Sequence, residues 1–343
     1  MDMKKTVWKL TPRFSHRLLR GAYFFARLLP NAMYDMGRYL AHSGLNRSLG
    51  QRGERAARIV LAYHQLEKGL SLSAPRPGFG LEAAKRLADA IDAFAGEYGL
   101  APPATTGFAV LREYLAFHDR AGHDVAAVRR RYEELLARHR VDAEALKGWP
   151  GGAVPVSRAD LERRRNEGFG GFIGSRHSVR QFAGGEIPDQ AIREAVVLAQ
   201  KTPSVCNRQA WRVHSFSDRD DIARLLEIQA GSRGFGGQSS TVLIVTCDLT
   251  SFVEVAERYQ AWIDGGMFSM SLCLALHSLG YGTCCLNWSK ERGDDLRLRE
   301  AAGLPPTEQV IMLIAVGTLR EEFQVACSPR LPTDQVLKIH RRQ

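Results

Sequence analysis

Between Gly148 and Pro155 the chain reads Gly-Trp-Pro-Gly-Gly-Ala-Val-Pro, and the residue patterns on the two sides of this segment differ. Glycine and proline at this density interrupt helices and strands alike, so the segment separates two folding units. Before it, Leu81, Ala84, Leu87, Ala88, Ile91 and Phe94 recur at the three-and-four spacing of one helix face, and Gly96 and Gly99 can end that helix. Helical patterns resume over 108–120 and 124–146. Residues 1–150 are thus expected to form a helical, basic N-terminal region, and residues 158–343 a second domain.

After the break the periodicity changes. A charged helix over 158–167 is followed by Ile192, Ala195, Val196 and Ala199, one face of a helix that Asp189 can cap and that must stop before Pro203. Residues 211–216 alternate like a strand, while 241–246 and 310–316 are continuous β-rich apolar runs. Residues 267–279 are apolar on nearly every face, as expected of a helix buried in a core or in a subunit interface. Helices alternating with buried strands make the second half a mixed α/β or α+β domain.

At 45% apolar and 24% charged residues over 343 positions, the chain has the composition of a globular protein with core enough for two domains. Its six cysteines all lie in the second half, without CxxC pairs or zinc-ligand spacing. That pattern suits reduced, mostly buried thiols in a cytosolic protein, and no metal site is expected. The apolar stretch 21–29 is interrupted by Arg27 and stopped by Pro30, well short of the ~20 residues that span a bilayer. It also lacks a signal-peptide cleavage site, so a cytoplasmic protein is expected.

The net charge of +10 is unevenly spread, because residues 1–50 carry nine Lys/Arg against Asp2 and Asp35. Phe14, Leu18, Leu19, Phe24, Phe25, Leu28 and Leu29 interleave with those cations at helical spacing. Such a helix can pack on its own domain with a solvated basic face, or lie on an anionic membrane surface or an acidic partner. No nucleic-acid motif accompanies the charge, and no nucleic-acid partner is expected.

Two short segments carry most of the chemistry. Arg176-His177-Ser178-Val179-Arg180 gathers guanidinium, imidazole and hydroxyl groups of the kind that hold a phosphate. Pro203-Ser204-Val205-Cys206-Asn207-Arg208-Gln209-Ala210-Trp211 breaks a helix and offers amides that can match the donor and acceptor edge of a planar ring. Further on come Gly280-Tyr281-Gly282, whose glycines would let backbone approach a ligand, then Cys285-Leu286-Asn287-Trp288, Val316-Gly317 and Ser328-Pro329-Arg330.

In this order and spacing, the motifs resemble those of nitroreductase-like flavoproteins over roughly 165–340. The resemblance implies an α+β, three-layer sandwich with a central, mainly antiparallel sheet, preceded here by the helical region. It implies a homodimer with FMN at the interface and NAD(P)H as electron donor to a small-molecule acceptor. Arg176, His177, Ser178, Arg180, Ser328 and Arg330 would hold the phosphate. Pro203, Ser204, Asn207 and Gln209 would face the ring and ribityl chain, and Cys285, Leu286, Asn287 and Trp288 would pass near the reactive ring nitrogen. No side chain is required as acid or base, because the flavin carries the chemistry. Ala210 stands where such proteins usually have proline, and the N-terminal extension resembles that of members associated with bacterial surface-polysaccharide gene sets. A flavin dehydrogenase acting on a biosynthetic intermediate, and a non-catalytic flavin-fold module docked at a membrane, are the alternative readings.

Other motifs are read structurally. The glycines over 168–174 follow a charged helix rather than a strand and do not form a dinucleotide fingerprint. Those over 231–237 suit a surface loop or a flap over the substrate face. His64 and Glu67 share a helix face, as a local polar contact or as part of a cover for the pocket. Cys206, Cys284 and Cys285 are expected to serve packing rather than nucleophilic chemistry.

Overall fold

The computed structural model describes residues 16–42 and 52–341. Lys4, Lys5, Lys9, Arg13, Phe14 and Arg47, which contribute to the basic N-terminal pattern, lie outside the described residues. The first helix, α1 (His16–His42), continues through Pro30, which the sequence pattern had as a stop. The side-chain amide of Asn31 donates to the carbonyl of Arg27 at 2.7 Å, adding a bond in the turn where proline removes one. Residues 19–33 of α1 are exposed, and Asp35 ties it to the body of the protein, accepting from Arg258 Nε (2.7 Å) and the Tyr259 hydroxyl (2.9 Å).

Five helices then build a compact layer: α2 (Arg52–Leu70), α3 (Leu81–Tyr98), α4 (Ala104–Arg120), α5 (Ala126–Arg138) and α6 (Ala143–Gly148). The apolar stripe expected on α3 is buried against Leu66 of α2, Phe108 and Tyr114 of α4 and Leu135 of α5. Gly107 permits the α3–α4 approach, since a Cβ there would lie 2.8 Å from Ile91 Cδ1. The single pattern read over 124–146 is two helices, because Arg140 turns the chain at φ 49° between them.

The Gly/Pro-rich break contains a strand. β1 (Ala153–Ser157) pairs antiparallel with β6 (Glu322–Ala326) near the far end of the chain, from Ala153 opposite Ala326 to Ser157 opposite Glu322. Between them come α7 (Arg158–Arg165), α8 (Gly168–Ser175), α9 (Asp189–Ala199), β2 (Trp211–Phe216), α10 (Arg219–Gln229), β3 (Thr241–Asp248), α11 (Gln260–Ser278), β4 (Tyr281–Asn287), α12 (Arg292–Ala302) and β5 (Glu308–Thr318). A short α13 (Thr333–Val336) follows β6. The glycine-rich 168–174 run is helical, and Asp189 lies in the first turn of α9 after a Pro188 cap that makes no side-chain bond.

The main sheet is wholly antiparallel in the order β2-β3-β5-β4. Its faces separate by strand alternation. Val242 and Ile244 of β3 pack with Ile222 and Leu225 of α10 and Leu298 of α12, while Leu243 and Val245 pack with Phe268 and Leu272 of α11 and Ala195 of α9. Helices, sheet and helices thus form the three layers expected, with the helical N-terminal layer beside them. One side of α11 is buried in the core, while Trp262, Ile263, Met267 and Met270 are exposed on the single chain.

At the α8–α11 junction, the Ser175 hydroxyl donates to Phe172 O (2.8 Å), so its oxygen accepts from a protonated Nε2 of His277 (2.8 Å). Burial, then the charges of Arg165, Arg176 and His177, hold the His277 imidazole down to about 4, against 6.5 ordinarily. Above about pH 6.5 neither folded nor unfolded imidazole is charged. Between there and about 4 only the unfolded chain takes up the proton, so stability falls with pH by on the order of 3 kcal/mol across that window. His277→Gln is expected to flatten this part of the stability curve measured by urea denaturation. A variant curve parallel to wild type would remove His277 as its source.

Candidate functional site

The 176–182 segment lies along the edge of the main sheet. Val179 N donates to Thr283 O at 2.9 Å, Ser178 bridges Thr283 in parallel, and Phe182 bridges Leu319. Two glycines make room for it. A Cβ on Gly282 would lie 3.1 Å from Val179 Cβ, and one on Gly317 would lie 2.5 Å from the Phe182 ring. This corrects the expectation that Gly282 admits a ligand: it admits Val179 and Leu319. Gly280 makes a left-handed turn at φ +89°.

Between Val179 and Phe182, both anchored in the core, Arg180 and Gln181 are buried as well. Arg180 is only 6% exposed, and its Nε and Nη1 atoms have no hydrogen-bond partner. A guanidinium in that position calls for an anion or a set of acceptors. His177 is half-buried, and its imidazole is pulled below its ordinary value by burial and then by Arg176, Arg164 and Arg330. Three cations from α7, the 176–182 segment and the C-terminal loop therefore converge on one imidazole. Sequence reasoning missed Arg164, whose charged helix offered no signal beyond a solvated face.

Cys285 also belongs to this cluster, and the packing role expected of it is corrected. Its exposed thiol is held down to about 7, first by the hydrogen bond with the buried Cys273 thiol (Sγ–Sγ 3.5 Å) and also by the charge of Arg176. Cys284 points into the core, and burial pushes its thiol up. Cys206 is exposed as well, against the same expectation.

The 203–209 loop is held by its surroundings in an unusual backbone conformation. Cys206, Asn207 and Gln209 have φ of 49°, 54° and 51°, left-handed values that cost a non-glycine residue energy and gather at functional sites. Ser204 Oγ accepts from Gln209 N (3.0 Å), Val205 N donates to buried Asp264 (3.2 Å), and Arg208 donates to Ser251 O (2.6 Å) and Glu257 (3.0 Å). The side chains of Asn207 and Gln209 remain exposed, linked by a 3.3 Å bond from Gln209 Nε2 to Asn207 Oδ1. Trp211 closes the loop by stacking on Phe268 at 4.8 Å, and Ala210, where proline was usual, is buried.

The structure gathers Arg176, His177, Cys285 and Arg330 around common neighbours, with Arg180 beside Cys284. The 203–209 loop meets α11 at Asp264 and the cation cluster meets it at Cys273, about 13 Å apart along a helix. Leu286 is core, and Trp288 is committed to α12 through its Nε1 bond to Asp295 (2.9 Å). Asn287 O accepts from Gln229 (3.1 Å), and Ser328 holds a left-handed turn at φ 44° before exposed Arg330. The 231–237 loop packs inward: a Cβ on Gly234 would lie 2.8 Å from Leu72 Cδ1. Among the described residues no three His, Cys, Asp or Glu side chains gather as a metal site. No helix there is long and apolar enough to cross a membrane.

A family model described as the nitroreductase family matches residues 173–233 and 228–318, which span the 176–182 segment, the 203–209 loop and β4. Residues 173–318 are a nitroreductase-family domain. An Archaeoglobus fulgidus protein named as an NADH dehydrogenase/NAD(P)H nitroreductase is 25% identical over 152 residues, 44% of this chain and 85% of its own length. A Staphylococcus haemolyticus NADPH-dependent oxidoreductase is 25% identical over 173 residues, 47% of this chain and 68% of its own. Among solved structures, the FMN-dependent nitroreductase of Clostridium difficile aligns at TM-score 0.40 and 18% identity, over 50% of this chain and 98% of that one.

The thiol chemistry of this nitroreductase-family domain is open to direct measurement. Iodoacetamide is expected to modify Cys285 with a pH midpoint near 7, leaving Cys273 and Cys284 unmodified in the folded protein. Cys273→Ala removes the thiol donor, and alkylation at pH 7 is expected to slow roughly tenfold as the thiolate fraction falls. An unchanged midpoint in peptide mass spectrometry would contradict the role given to Cys273.

Proposed function

We propose that the protein is an FMN-dependent oxidoreductase that takes hydride from NAD(P)H and delivers it to a small organic acceptor, the two substrates alternating in one pocket. The observation that carries this reading is Arg180, a buried guanidinium with two unpartnered nitrogens inside a nitroreductase-family domain. The donor set suits FMN: cations with a hydroxyl for the phosphate, and a held loop of amides for the ring.

FMN, when bound, supplies the hydride chemistry. Arg176, Ser178 and Arg330 bind its phosphate, and neutral His177 becomes easier to protonate once that negative charge sits among the cations. Arg180, buried and unpartnered, would add its positive charge to the same anion-binding set. Asn207 and Gln209, held ready in left-handed backbone, orient the ring without an ordering cost at each turnover. Cys285 and the backbone of 286–288 border the same space.

The protein is proposed to act as a cytoplasmic homodimer. The exposed apolar residues of α11, Trp262, Ile263, Met267 and Met270, offer a face that a second copy would cover. α1 is exposed on its apolar and basic residues alike, which favours a peripheral association of the dimer with an anionic membrane surface. A polysaccharide-related acceptor is the context proposed for the pocket.

Purified protein is expected to be yellow, with a flavin absorbance band that anaerobic NAD(P)H bleaches. Arg180→Gln is expected to weaken FMN binding about tenfold or more, as loss of a charged hydrogen-bond donor does. Protein that stays colourless and gains no band with added FMN would rule the reading out.

A further inference from the structure

The last turn of α2 carries Glu67 and Lys68 in succession, and among the described residues no carboxylate pairs with Lys68. Glu67 is fully buried, with no hydrogen bond to either carboxylate oxygen; His64 Nδ1 lies 3.6 Å from its Oε2. Consecutive helix residues point about 100° apart, so Glu67 and Lys68 leave the helix in different directions. Glu67 acts electrostatically on Tyr63 and on Cys327 beyond β6. Lys68 is partly buried, and its ammonium is pulled below its ordinary value first by burial and then by the positive charge of Arg180.

A buried connection fixes that placement. Ser71 Oγ donates to Lys68 O (3.0 Å), and Gln181 Nε2 donates to Ser71 O (2.9 Å). The residue after Arg180 is thereby bonded to the residue one helical turn beyond Lys68. Helix α2 also packs on β6 and β1, which fastens its end over the domain. Among the described residues no carboxylate pairs with Lys68 or Arg180, although Arg180 is buried and Lys68 partly so. Two such cations at one place repel each other and lose hydration, a cost that an anion or a set of acceptors between them reverses.

We infer that Lys68, carried by the helical half, is a ligand-binding residue of the flavin site, forming with Arg180 a two-cation seat for a negatively charged or carbonyl-bearing part of FMN. The inference rests on the FMN reading above and extends it: the helical half completes the cofactor pocket.

The test compares FMN and riboflavin dissociation constants, by flavin fluorescence quenching, for wild type, Lys68→Met, Lys68→Arg and Lys85→Met. Lys85 is an exposed α3 residue paired with Glu82, and its variant is expected to bind as wild type does. Lys68→Met is expected to bind FMN about tenfold more weakly, with Lys68→Arg recovering most of the loss. Loss for both flavins sets Lys68 against the ring-bearing part, and loss for FMN alone sets it on the phosphate. Either result supports the inference. Circular dichroism of the apo variant checks its fold, and Lys68→Gln is read in its place should the methionine variant not fold. Wild type that binds FMN, with the Lys68 variant binding both flavins equally well, overturns this inference alone. Wild type that binds neither flavin removes the FMN reading and this inference with it.

Discussion

The site depends on the close approach of the 176–182 segment to β4 and β5, made possible by the absence of side chains at Gly282 and Gly317. Val179 fills the space over the first and Phe182 the space over the second. With those two in the core, the residues between and before them have no choice of side. Arg176, His177 and Ser178 are left half-buried at the sheet edge, and Arg180 is drawn inside without a partner. An alanine at Gly317 would press on the Phe182 ring, a rigid neighbour with little freedom to move, and would shift the whole cationic segment. The glycines thus act indirectly, by shaping the surface on which the proposed binding residues are mounted.

The costs concentrated around this segment have one direction. Arg180 is desolvated without compensation, His177 is crowded by like charges, and three consecutive-region residues of the 203–209 loop hold left-handed backbone. Each left-handed position costs of order 1–3 kcal/mol and persists because the surroundings hold it. Here the holding groups can be named: Asp264 on the Val205 amide, Glu257 and Ser251 on Arg208, and Trp211 stacked on Phe268. Unmatched cations and strained amides on rigid supports suit the proposed flavin site, because a ligand's charge and hydrogen bonds would reverse those costs on binding.

Much of this was readable in the chain because it is local. β3 and β5 are β-branched runs that announce themselves, β2 shows itself by alternation, and the Arg176 and Asn207 motifs each lie within a few residues. What escaped was carried by pairings between distant residues. β1 is five residues long with Pro155 at its centre, which only a strand bonded on a single side tolerates, and its partner lies at the other end of the chain. β4 was hidden by its glycine, there for packing and easily taken for a ligand approach. Cys285 read as a packing residue because its acidity comes from Cys273, one strand and one helix away in space. Arg164 and Lys68 each look like solvated helix charges until the tertiary structure brings them to His177 and Arg180.

The same pairings decide how the two halves of the chain relate. β1 follows directly on the helical layer and is hydrogen-bonded to β6, so the start and the end of the flavin-fold half are clamped at the point where the helices begin. Cys327, Ser328 and Arg330 follow at once from β6, and Cys327 N donates to Gly152 O at 3.0 Å. The loop that brings Arg330 toward His177 is therefore positioned by the residues that the sequence presents as a linker. Gly152 itself lies under α4, where a Cβ would sit 2.7 Å from Glu113 Cγ, so even the turn into β1 is shaped by the helical layer. A break rich in glycine and proline, which in isolation reads as a flexible divider, instead transmits the position of the helices to the cation cluster.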